Sequence, residues 1–134
     1  MSKPHILRLM ASRGFHGARY VKPEAAMCID LANRLRVATI EGRAGGVWHH
    51  NANEGKLSKT VRALLAAMGL ISGVGDYFFS GDNGGYIEMK AGRGVLSDNQ
   101  KDFRDWCSDS GVRWAMCRSA DEAEATLKAW GWLA

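Results

Sequence analysis

Residues 73–90 read GVGDYFFSGDNGGYIEMK, and this stretch decides the fold. VGDYFF and GYIEMK are strand-like and flank SGDNGG, which is made of turn residues throughout, so a β-hairpin is expected. Alternate residues of a strand face the same side. Tyr86, Glu88 and Lys90 therefore share one face, while Ile87 and Met89 take the core-facing side. A turn centred near Asp82 brings Asp76 opposite Glu88, because the two lie equally far from it in the chain. The hairpin thus carries two carboxylates side by side, with a lysine one step along.

The flanking segments read as helices and further strands. Pro23 suits a first helical turn and Glu24 a positive helix N-terminus. Met27, Ile29, Leu31, Leu35 and Val37 then support a helix to about Ala38. EGRAGG is a loop, VWHH a short strand and NANEG a polar turn. Leu57 to Met68 has helical periodicity, with Val61, Leu64, Leu65 and Met68 on one face and Gly69 placed to end it. Ser97 and Gln100 form a capping box opening a helix from about Asp98 to Ser108, with Phe103, Trp106 and Cys107 as its buried face. VRWAMC is a strand. Ser119 and Glu122 form a second capping box for a helix to about Trp130, and GWLA is a tail with Trp132 as a core residue. The order αβαββαβα predicts an α/β fold: a mixed central sheet flanked by helices, with the hairpin strands near its centre. Residues 1–20 are a basic N-terminal extension, and residues 21–134 form the domain proper.

Composition narrows the function classes. The chain has 134 residues, enough for one compact domain. It holds no apolar run long enough to span a membrane and no secretory signal pattern. Cys28, Cys107 and Cys117 are odd in number, widely spaced and without CxxC, so a reduced, cytoplasmic protein is expected. Residues 1–62 hold eleven Lys/Arg against four Asp/Glu, whereas residues 63–134 hold seven against ten. A cationic half-chain attracts polyanions such as nucleic acid.

Adjacent carboxylates repel unless a cation lies between them. Hard oxygen ligands favour Mg²⁺ or Mn²⁺, which leave coordination positions for a phosphate oxygen and a water. Lys90 would orient that water or offset developing negative charge. Asp76, Glu88 and Lys90 together describe metal-dependent phosphodiester hydrolysis. A plain ion pair on a half-exposed hairpin uses the same residues.

GVGDYFF, GGYIEMKAGRG and LSDNQKDF, with VWHHNANEGK and LLAAMGLISGVGD upstream, resemble in order and spacing the VRR-NUC nucleases of the PD-(D/E)xK superfamily. The likeness runs from about Glu24 to Leu127 and is nearest to the small stand-alone, often virus-encoded members. It implies a restriction-endonuclease-like core and Mg²⁺- or Mn²⁺-dependent endonuclease activity. It further implies a homodimer acting on structured or branched DNA, with four-way (Holliday) junctions as one candidate substrate. By the same resemblance Asp76, Glu88 and the helix-borne Glu24 are metal ligands, Lys90 is the motif lysine, and Gln100 is the glutamine that follows the motif. Gly75 stands where the family pattern has proline, and HHNANEGK is a residue longer than usual, which leaves the roles of His49, His50 and Glu54 open; adjacent on a strand, at most one of the two histidines faces the site. Phosphate contacts are expected at Arg93, whose glycine neighbours allow close backbone approach, and at Lys56, Lys59 and His49. A non-catalytic nucleic-acid-binding module of the same fold is the alternative.

Overall fold

A computed structural model describes residues 3–11, 21–51 and 57–134. Its helices are α1 (Pro4–Met10), α2 (Pro23–Ile40), α3 (Lys59–Ala67), α4 (Asp98–Asp109) and α5 (Ala120–Trp130). Its strands are β1 (Trp48–His50), β2 (Tyr77–Phe79), β3 (Gly85–Met89) and β4 (Arg113–Cys117). The chain is mixed α/β, as the sequence predicts, with α1 added ahead of the expected order. Lys56 and Glu54 lie outside the described residues.

The four strands form one mixed sheet in the order β1-β2-β3-β4. The hairpin strands β2 and β3 occupy its centre and pair antiparallel, while β3 and β4 run parallel, linked by the α4 crossover. Tyr77 pairs with Ile87. One further step outward puts Asp76 opposite Glu88, the register expected from a turn at Asp82.

One sheet face carries the core. Leu31 and Leu35 of α2, and Ala123 and Leu127 of α5, pack on Tyr77, Phe79, Ile87, Met89 and Cys117. Arg34 ties the two helices together from outside, meeting Asp30 on its own helix and both Asp121 and Glu124 on α5. The supposed tail belongs to this core: Trp132 is fully buried, packs edge-on against Phe79, and donates its indole N–H to the Ser80 carbonyl at 2.8 Å. Gly131 makes the reversal possible by taking the left-handed conformation at the end of α5.

The opposite face is covered by α4, whose Phe103 meets Tyr86 edge-on with ring centroids 4.9 Å apart. Three expected details differ. Trp106 is 58% exposed, because only Phe103 and Cys107 of α4 point at the sheet. Val61, Leu64 and Met68 of the α3 segment are exposed rather than buried, since neither the sheet nor another helix packs extensively against α3. The second capping box is half formed: Ser119 accepts from the Glu122 amide, but the Glu122 carboxylate takes the amide of Arg118 instead of Ser119.

Candidate functional site

The site lies where the hairpin emerges from the sheet. Asp76 immediately precedes β2, and its carboxylate accepts the Met89 amide at 2.7 Å, crossing to the neighbouring strand. Asn51, just after β1, fixes the same segment by donating its backbone amide to the Asp76 carbonyl and its side-chain amide to the Gly75 carbonyl, both at 2.7 Å. The loop before Asp76 docks on the start of α4, where Asn99 donates to Ser72. Gly73 is required there: its φ is +87°, and a Cβ would sit 2.4 Å from the Asn99 backbone.

Helix α2 delivers the third acid. The Tyr77 hydroxyl donates to the Cys28 carbonyl at 2.9 Å, one turn beyond Glu24. The residue next to Asp76 thus pins α2 where it can present Glu24. As a result, oxygens of Glu24, Asp76 and Glu88 lie within 4.8 Å of one another. Lys90 Nζ stands 3.7 Å from a Glu88 oxygen. Gln100 does two things at once: its carbonyl oxygen accepts the Ser97 amide in the capping box, and its amide donates to Glu88 at 2.9 Å. The capping reading and the site reading of Gln100 are therefore both satisfied.

The electrostatics follow from burial and crowding. Glu88 is 2% exposed. Burial, then the Asp76 charge, pushes its carboxyl up from 4.5 to about 8, against the pull of Lys90. Asp76 is raised as well, chiefly by burial, with the Met89 amide opposing. Cys28 is pushed up to about 12 by burial and by the Asp76 charge, so it is a protonated thiol beside the acids. Glu88 and Asp76, crowded and partly buried, are relieved by taking up a proton or a cation. The donor set, all hard oxygen, fits a divalent ion such as Mg²⁺ or Mn²⁺.

These acids line a cleft of about 690 Å³ together with Lys90, Gln100, His50 and Arg62. The sequence reading brought Glu24, Asp76, Glu88, Lys90 and Gln100 to one place, and they do converge. Of the two histidines it is His50, not the expected His49, that lines the cleft. His49 faces the other side of β1, tilted against Phe78, while His50 lies against Tyr77 and lines the cleft. Strand parity separates the two, but only the register with Tyr77 says which one faces the site. Arg93 and Lys59 are exposed and outside the cleft wall; Arg118 holds the Arg93 loop by donating to the Gly92 and Gly94 carbonyls. Arg62 and Asn51 went unpredicted. No local pattern marks Arg62, whereas Asn51 follows the β1 strand directly and its amide suits a bridging role.

No family model, curated protein or solved structure matches this chain.

Proposed function

We propose that this protein is a Mg²⁺- or Mn²⁺-dependent endonuclease that hydrolyses phosphodiester bonds in structured or branched DNA. One observation carries the reading: Glu24, Asp76 and Glu88, from three separate segments, bring oxygens within 4.8 Å of one another beside Lys90. A structural ion pair needs one acid and one base. Three gathered acids in an open cleft are costly unless a cation is their partner. The VRR-NUC resemblance of the same residues supports the reading and supplies the substrate class.

Glu24, Asp76 and Glu88 would hold the ion, which when bound polarises the phosphate and lowers the pKa of water. Lys90 holds its ammonium at the Glu88 oxygen, where it would offset charge gathering on the phosphate oxygens. Gln100 fixes the Glu88 carboxylate in one orientation by donating its amide to the same oxygen that Lys90 approaches. Arg62, which lines the same cleft, would pair with a flanking phosphate. Asn51 and Tyr77 position the Asp76 segment and α2.

A fluorescent four-way junction incubated with the purified protein and Mn²⁺ tests this. Cleavage by the wild type and its loss in Glu88→Ala and Lys90→Ala are expected. Tight, salt-dependent binding without Mn²⁺-dependent products would leave the non-catalytic nucleic-acid module as the better reading.

A further inference from the structure

Lys90 follows β3 directly, and Glu88 alone does not fix its ammonium. The two stand 3.7 Å apart, too far for a hydrogen bond, and the Gln100 amide already occupies the same Glu88 oxygen at 2.9 Å. Yet the Lys90 side chain is only 14% exposed. A four-carbon stem has large rotamer freedom, so an ammonium keeps one place only where its stem is packed.

The packing comes from the loop that follows. Residues 91–94 turn back on themselves, with the Gly94 amide donating to the Ala91 carbonyl at 2.9 Å. The turn lays Gly94 against the lysine: a Cβ at Gly94 would stand 3.6 Å from Lys90 Cδ and 3.8 Å from Lys90 Cβ. Gly92 takes a φ of +53°, and two glycines in four residues make the loop costly to order. One turn bond in an exposed loop is little against that cost.

Arg118 supplies the rest. The parallel register sets Met89 beside Cys117, and the Lys90 amide donates to the Cys117 carbonyl at 3.0 Å, so Arg118 starts level with the loop. Its Nη1 donates to the Gly92 carbonyl at 2.8 Å and to the Gly94 carbonyl at 2.9 Å. Bonds from a charged donor are roughly twice as strong as neutral ones. The Glu122 carboxylate accepts the Arg118 amide at 3.3 Å, which ties the base of this arm to α5. Arg118 itself is outside the cleft wall.

We infer that Arg118 is a positioning residue for Lys90: it holds the 91–94 loop against the lysine stem, and the stem sets the ammonium beside Glu88. The consequence for cleavage rests on the endonuclease reading; the restraint on Lys90 does not.

Nuclear magnetic relaxation at lysine Cε in the whole chain tests the restraint, with Lys90→Arg assigning the signal. In the wild type the Lys90 order parameter should stand well above that of Lys128, whose side chain is 54% exposed. Arg118→Ala should remove at least about half of that difference. Added guanidinium ion, far below denaturing concentrations, should restore part of it where sodium at equal ionic strength does not. Arg118 is exposed, so the variant should keep the fold, which circular dichroism reports. On a four-way junction with Mn²⁺ the same variant should lower kcat at least about tenfold, with KM and Mn²⁺ affinity unchanged. An unchanged Lys90 order parameter in Arg118→Ala, or a defect confined to KM, would overturn the inference. A wild type that cleaves no DNA would sink the endonuclease reading and leave the relaxation result to decide this one.

Discussion

Glu88 is the most deeply buried acid of the site. Its folded-state pKa, about 8, stands above the ordinary 4.5, so the folded protein binds its proton more tightly than the unfolded chain does. Between those values the contribution of Glu88 to the stability of the metal-free protein falls as pH rises, and it is full below them. Asp76 is raised in the same direction. The thermal midpoint of the metal-free protein should therefore fall from about pH 5 to about pH 8. Saturating Mn²⁺ at the upper pH should recover it, since a ligand that binds only the folded state stabilises it. Glu88→Gln removes the charge at constant shape and should flatten the pH response and abolish the Mn²⁺ shift. A midpoint that climbs with pH, or a Mn²⁺ shift that survives Glu88→Gln, contradicts this. Lys90→Met should separate the roles differently: cleavage falls at least about 100-fold while Mn²⁺ still binds, as calorimetry would report. The sequence exposed Asp76, Glu88 and Lys90 because a hairpin has a parity and a centre. The choice between His49 and His50 required knowing which face of β1 meets Tyr77, a fact that resides in the pairing and not in the strand itself.

At the level of elements, the site depends on a few joints between segments. The Tyr77 hydroxyl joins β2 to α2 at the Cys28 carbonyl. Tyr77→Phe should cost about 1 kcal/mol of stability. It should also weaken Mn²⁺ affinity, because Glu24 is carried by the helix it releases. Equal Mn²⁺ affinity in the two proteins would show that Glu24 does not contribute. Gly73→Ala should be more damaging, since it combines a left-handed backbone with a collision against Asn99, and a loss above about 1 kcal/mol in urea unfolding is expected. The Ser97 capping box was legible because its partners are three residues apart in the chain. The fate of α3 was not. Periodicity shows that Val61, Leu64 and Met68 form an apolar face, but the chain carries no mark of what covers it. Trp106 fails for a related reason: it adjoins Cys107 in sequence, yet the narrow face that α4 turns to the sheet is filled by Phe103 and Cys107.

Across the whole molecule, charge and topology divide the work. The acids of the site come from the central hairpin and α2, and Lys90 and Arg62 are cations that line the same cleft. Removing Arg62 by Arg62→Ala should reduce the salt dependence of DNA binding by about one counterion, with Ca²⁺ replacing Mn²⁺ to prevent cleavage. An unchanged salt slope would place DNA elsewhere on the surface. The mixed α/β layout was readable from the order of strand-like and helical segments. The burial of Trp132 was expected, but its closure of the core from a segment that reads as a tail was not, because that packing pairs the chain end with Phe79 more than fifty residues away. No described helix is long and apolar enough to cross a membrane.

A divalent ion held by Glu24, Asp76 and Glu88 is what the proposed chemistry requires. Anomalous diffraction from crystals grown in Mn²⁺ tests it most directly. One strong peak is expected at coordination distance, about 2.2 Å, from carboxylate oxygens of Asp76 and Glu88. Absence of a peak there at saturating Mn²⁺, or a peak confined to another part of the chain, would contradict it.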